Sequence, residues 1–161
     1  MATESATGFG PLDGVRVLEL GSFIAGPFAG QLLGDYGAEV IKIEPPGSGD
    51  PMRQWGITRG GESLWWPAIA RNKKSVAIDV REAAGRDVVR RLIEHCDVVL
   101  ENFRPGRLDE WDMGFAAMSP RNERLIMVHV SGFGSIGEAV GGIRHTTGNP
   151  GLPPTRAGIS L

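Results

Sequence analysis

The sequence holds one cysteine, Cys96, and three histidines in 161 residues. A single thiol cannot close an intrachain disulfide or build a zinc knuckle that needs several cysteines, and this usage fits a reducing compartment. The cytoplasm is the expected location, and no metal ligand set is assigned. Neither sign of charge is in excess: 17 Lys and Arg stand against 19 Asp and Glu, a formal net charge of −2 with a pI near 5.9. Such a balance exerts no broad pull on nucleic acid or an anionic membrane, so neither is an expected partner and any anionic ligand must be held by local groups. No apolar run approaches the roughly 20 residues needed to cross a bilayer. The opening MATESATGFG has no basic stretch followed by an apolar one, so it does not read as a signal peptide. Residues 1–10 read as a flexible polar tail.

Glycine is abundant, with 24 residues, beside 11 prolines. They gather at 8–14, 26–61 and 132–158, and the last cluster has no strand or helix pattern long enough to seal a core. Length suits one domain. VRVLEL (15–20) predicts a buried strand. PFAGQLLGDYG (27–37) predicts a helix, with Pro27 at its first position, Phe28, Leu32, Leu33 and Tyr36 at helical spacing and Gly37 as the stop. AEVIKIE (38–44) predicts a second strand, ended by PPGSGDP. Beyond it, ESLWWPAIAR (62–71) allows a helix weakened by Pro67, and SVAIDV (75–80) predicts a strand. AGRDVVRRLIEH (84–95) predicts a helix with Val88, Val89, Leu92 and Ile93 on one face. DVVLEN (97–102) and RLIMVHVSG (124–132) predict two more strands around a short helical region between Pro105 and Asn122. This alternation predicts an α/β fold, a mostly parallel sheet with helices on both faces. Ligands of such sheets sit at the carboxyl ends of the strands, which here are 21–26, 44–49, 79–81, 101–107 and 131–134.

The stretch LELGSFIAGPFAG (18–30) leads from the first strand into the first helix. A Walker loop needs lysine and a hydroxyl residue after its last glycine, where Pro27 and Phe28 stand. A dinucleotide fingerprint needs G-x-G-x-x-G, which Gly21, Gly26 and Gly30 do not form, although Glu44 could mimic its ribose-binding acid. What survives is a strand, a turn whose amides face a helix start, and a proline that costs that helix no donor.

LDGVRVLELGSFIAGPFAGQLLGDYGAEVIKIEPPGSGD, NKKSVAIDV, DVVLENFRPG and VHVSGFG, in this order, resemble the successive signatures of the family III CoA-transferases (CaiB/BaiF-like), over residues 11–161. The resemblance implies a Rossmann-like CoA-binding domain over 11–134, then a glycine- and proline-rich segment over 135–161. The fold is expected to be incomplete relative to the family's interlocked homodimer, an amino-terminal portion. It implies transfer of CoA from an acyl-CoA to a free carboxylic acid such as a small dicarboxylate. Coenzyme A enters as substrate, with no permanently bound cofactor. By resemblance, the CoA contacts fall on Ile24, Ala25, Pro45, Ile78, Arg81, Asn102, Phe103 and Arg104. CoA presents an adenine face and phosphates, so it calls for an apolar slot, backbone amides and fixed cations. Arg104 with Arg107, and Arg71 with Lys73 and Lys74, are the basic sets nearest in sequence; Lys73 and Lys74 read as a solvated face.

One part of the pattern breaks. The family's nucleophile is an aspartate set after the SGFG strand end, and its attack on the thioester splits acyl transfer into easier steps. Here SGFG (131–134) runs straight into SIGEAVGG (135–142), so the aspartate position falls at Gly134 and the intervening stretch is missing. No aspartate follows Asp112, and Glu138 reads as a helix-surface charge. The chain is therefore expected to be impaired or inactive, the alternatives being a non-catalytic CoA-binding remnant or an isomerase like the α-methylacyl-CoA racemases. The racemase branch needs a histidine that is absent between Gly114 and Asn122. His129 reads as a packed strand residue, His95 as a helix-end cation, His145 as loop, Cys96 as core, and all four tryptophans as packing residues.

Overall fold

Alternating strands and helices give residues 9–130, those described by the computed structural model, a five-stranded parallel sheet whose three central strands are buried and whose two edge strands are largely exposed. In chain order the elements are β1 (Arg16–Glu19), α1 (Ala25–Asp35), β2 (Glu39–Glu44), a 3-10 turn over Pro51–Gln54, β3 (Thr58–Arg59), β4 (Glu62–Ser63) and α2 (Trp66–Ala70). There follow β5 (Lys73–Ala77), α3 (Ala83–Ile93), β6 (Val98–Glu101), α4 (Arg107–Glu110), α5 (Phe115–Met118) and β7 (Ile126–His129). The strands lie in the order β5-β2-β1-β6-β7, every neighbour parallel. The chain winds outward from β1 on one side, then returns to build on the other. The reversal between β1 and β6 is the switch point at which open α/β sheets bind ligands.

Successive side chains of a strand point to opposite faces, and the two cores divide accordingly. Leu18, Leu20, Ile43 and Val99 join Val89 and Ile93 of α3 with Leu108, Met113 and Met118 on one face. Val17, Val40 and Leu100 join Ala29 and Leu33 of α1 on the other. Cys96 is buried in the first core, and burial pushes its thiol up to about 11. β3 and β4 form a separate antiparallel hairpin, whose two linking residues, Gly60 (φ 62°) and Gly61 (φ 86°), take the left-handed conformations such a tight turn requires.

Four local expectations need correction. The first helix starts at Ala25, so Pro27 is its third residue; amides there have no intrahelical acceptor, and proline costs nothing. The strand expected over 75–80 is β5, which starts at Lys73 and stops at Ala77. Its register is set by pairing with β2 (Lys73 opposite Val40, Ala77 opposite Glu44), not by its own apolar run. Glu62 and Ser63 belong to the hairpin, leaving a helix of only Trp66–Ala70 with Pro67 in its first turn. In α3, Val89 and Ile93 are buried but Val88 faces outward. The expectations for residues 1–8 and for 131–161, Gly134, Glu138 and His145 among them, lie outside the described residues.

Candidate functional site

A cavity of about 310 Å³ opens at the carboxyl ends of β1, β2 and β5. Leu20, Gly21 and Ser22 line it from the turn after β1, Pro45 and Ser48 to Pro51 from the loop after β2, and Ile78 to Arg81 from the segment after β5. Phe103 and Trp111 complete it, packed edge to face with ring centres 5.5 Å apart. With Ile43 and Val80 these rings make a largely apolar wall, suited to a flat aromatic group.

The turn after β1 is held from two directions. Ser22 donates its amide to Asn102 Oδ1 at 2.7 Å, and Asn102 Nδ2 donates to the Ser22 carbonyl at 2.9 Å. Asn102 lies just past β6, so this pair ties together the two strand ends that flank the switch point. Gly21 and Gly26 make the close approach possible: a Cβ on Gly21 would sit 2.8 Å from Asn102 Oδ1 and 3.1 Å from the Gly26 Cα. Phe23 stands at φ 70°, uncommon for a bulky residue, and its amide donates to Asp50 Oδ1 and Oδ2 at 3.1 and 3.2 Å.

Beneath the turn lies a set of buried charges. Lys42 Nζ lies 2.8 Å from Glu19 Oε1, 2.8 Å from Asp50 Oδ2 and 2.9 Å from the Gly21 carbonyl. Lys73 Nζ stands 2.7 Å from Glu19 Oε2 and donates to the Pro27 carbonyl at 2.5 Å. Two carboxylates thus face two ammonium groups, so the cluster is neutral overall. Burial lowers the Lys73 pKa from its ordinary value, with the nearby Glu19 charge opposing the shift. Glu44, at the end of β2, accepts from Arg53 Nε (2.7 Å) and Nη2 (2.8 Å), from Ser75 Oγ (2.6 Å) and from the Asp50 amide (2.8 Å). Burial opposes its ionisation, but these donors prevail and hold the carboxyl at about 2. With both oxygens committed, Glu44 is not free to grip a ribose.

Three guanidinium groups near the cavity are held by carboxylates, while Arg86 donates to the Val80 and Arg81 carbonyls. Arg81 pairs with Asp79 (2.7 Å), and Arg104 and Arg107 share Glu110, Arg107 at 2.8 Å and with its guanidinium 5.2 Å from the centre of the Trp111 ring. Each guanidinium has five donors, so one carboxylate leaves capacity for a phosphate.

The family model of CoA-transferase family III matches residues 12–161. The chain belongs to CoA-transferase family III. It is 60% identical to the succinyl-CoA–D-citramalate CoA-transferase of Chloroflexus aurantiacus over 94% of this chain and 41% of that protein. It is 38% identical to succinyl-CoA:glutarate CoA-transferase of Mus musculus over 94% of this chain and 38% of that protein. A crystal structure of a CAIB/BAIF family protein from Brucella suis matches with TM-score 0.80 at 36% identity, covering 94% of this chain and 44% of that one. The family III chain spans less than half the length of these relatives. Its alignment with the Chloroflexus protein runs over 164 residues, more than this chain contains, so the relative has residues with no counterpart here.

Of the positions that the resemblance to family III implies, Pro45, Ile78, Arg81 and Phe103 line the cavity. Asn102 braces the turn beside it. Ile24 is the residue before α1 and Ala25 its first, and neither lines the cavity. Nor does Arg104, which is bonded to Glu110. Three expectations change. Lys73 is not solvated: its side chain is 2% exposed against Glu19, while Lys74 is 71% exposed and paired with Glu39. His129 is not packed within the strand layer but half exposed, its Nδ1 against Glu101, whose other oxygen accepts the Phe103 amide at 2.6 Å. Trp65 is exposed, and Trp55, Trp66 and Trp111 are half-buried. Trp111 lines the cavity, a place that spacing does not signal because it follows from how α4 docks on the sheet.

Proposed function

We propose that the described domain binds the CoA moiety of a thioester as the nucleotide-holding part of a family III transferase, with succinyl-CoA as donor and a small dicarboxylic acid of the citramalate kind as acceptor. The observation that carries this reading is the 60% identity to the Chloroflexus enzyme along 94% of this chain. The apolar cavity at the carboxyl ends of the strands supports it. In this reading Ile78, Phe103 and Trp111 face the adenine, Arg81 and Arg104 take phosphate oxygens, and the turn 22–25 receives the pyrophosphate. Pro45 and Asn102 hold the loops in place. The resemblance implies a homodimer in the cytoplasm for intact members; here the exposed Phe28 and Leu32 of α1, with Tyr36 just past its end, support a partner on that face.

Chemistry needs more. Covalent transfer requires a carboxylate that attacks the thioester carbonyl, and the position the resemblance assigns to it holds Gly134. The 161-residue chain as it stands therefore binds but does not turn over. Calorimetric titration with CoA and succinyl-CoA tests the first statement, and absence of binding refutes it. Incubation with succinyl-CoA and D-citramalate tests the second: no citramalyl-CoA is expected, and robust exchange overturns it.

A further inference from the structure

The side chains of Glu19, Lys42 and Asp50 are at most 1% exposed, and the binding roles above leave Lys42 and Glu19 unused. Burying charge is expensive unless every charge is matched and hydrogen-bonded, and apolar residues of similar volume often fill such space at lower cost. What apolar residues cannot do is fix polar backbone. Lys42 donates to Glu19 on β1 and to the Gly21 carbonyl, and its ammonium group pairs with the Asp50 carboxylate. Asp50 passes the restraint on, accepting the amides of Phe23 and, at 2.8 Å, Met52. The turn 21–23 is thus gripped at a carbonyl and at an amide by one ion pair. Phe23, at φ 70°, does not favour this shape unaided. Gly21, Ser22 and Asp50 line the cavity, whereas Lys42 does not.

We infer that Lys42, acting through Asp50 and the Gly21 carbonyl, is a positioning residue that locks the turn 21–23 into the shape that makes one wall of the cavity, so that affinity for CoA depends on a buried ammonium that never meets the ligand. The inference rests on the CoA-binding reading above. Its physical content is preorganisation: a turn already fixed loses no entropy when the ligand arrives.

The test is a charge-balanced double variant, Lys42→Met with Asp50→Asn, which leaves Glu19 facing Lys73. Backbone hydrogen exchange and CoA titration are measured on it and on the wild-type chain. Peptides covering 21–25 are expected to exchange at least about tenfold faster while β1 and β6 keep wild-type protection, and the CoA Kd is expected to rise about tenfold. Exchange that rises equally across the sheet, or not at all at 21–25, overturns the inference, as does an unchanged Kd. If the double variant does not fold, Asp50→Asn alone, which keeps the shape and the acceptor for Met52, is read by the same two measurements. A wild-type chain that does not bind CoA removes the CoA reading, while the exchange comparison still decides whether Lys42 holds the turn.

Discussion

Ser22 and Asn102, 80 positions apart, exchange two hydrogen bonds across the switch point of the sheet, amide to Oδ1 at 2.7 Å and Nδ2 to carbonyl at 2.9 Å. The Asn102 side chain imitates a backbone rung and extends the β1–β6 pairing beyond the last ladder bond. Asn102→Ala leaves the half-buried Ser22 amide and carbonyl without that partner. Stability is expected to fall by about 1–3 kcal/mol, read as a lower urea midpoint at unchanged slope. An unchanged midpoint would mean that water replaces the amide without loss.

Gly30 faces Glu19 across the α1–β1 contact. A Cβ there would stand 2.0 Å from Glu19 Oε2, inside the buried charge cluster. Alanine is the better helix former by about 1 kcal/mol, so propensity alone favours Gly30→Ala. Overpacking against a fixed carboxylate outweighs it, and a net loss of about 1–3 kcal/mol is expected. Gly34→Ala on the same helix, 3.2 Å from the Asn72 Cβ, should be milder. Thermal melts of the two variants decide the order.

Acid should unfold the chain through Glu44. Its carboxyl, ordinarily near 4.5, is held at about 2, so between these values the folded state keeps a charge that the unfolded chain neutralises. The resulting stabilisation is full above about pH 4.5 and is lost as pH falls towards 2. Glu44→Gln is expected to flatten the decline of melting temperature over that range. Asp79 is also lowered to about 2, by Arg81, but this exposed pair is screened by solvent. Asp79→Asn should leave the decline nearly as it was.

Arg81 lines the cavity and Arg104 does not. Replacing Arg81 with Ala is therefore expected to weaken CoA binding by about tenfold, the loss of a charge-assisted contact. Arg104→Ala should cost less, because that guanidinium lies outside the cavity lining. Titration of both variants with CoA gives the ranking, and the reverse order would move the phosphates to the α4 side of the cavity.

Much of the fold is legible in local pattern. VRVLEL, AEVIKIE and DVVLEN are short apolar runs of the kind a parallel sheet buries on both faces, and each became a sheet strand. The spacing of Gly21 and Gly26 marked a tight turn into α1, although its partner Asn102 entered only through the family resemblance. Inside those same strands, Glu19 and Lys42 gave no local sign that they would be buried together. They meet because parallel pairing sets them directly opposite in register, and Lys73 reaches Glu19 only because β5 joins the far side of β2.

The amino-acid order by itself determined the order of the five sheet strands and of the helices α1 and α3, the family, and the absence of any aspartate after Asp112, because periodicity and motif are properties of neighbouring residues. Tertiary structure alone decided which charges neutralise one another, that Lys73 is buried, and that Trp111 and Arg81 rather than Arg104 face the cavity. Those outcomes depend on distances between segments tens of residues apart, which register and helix docking set and which no local pattern encodes.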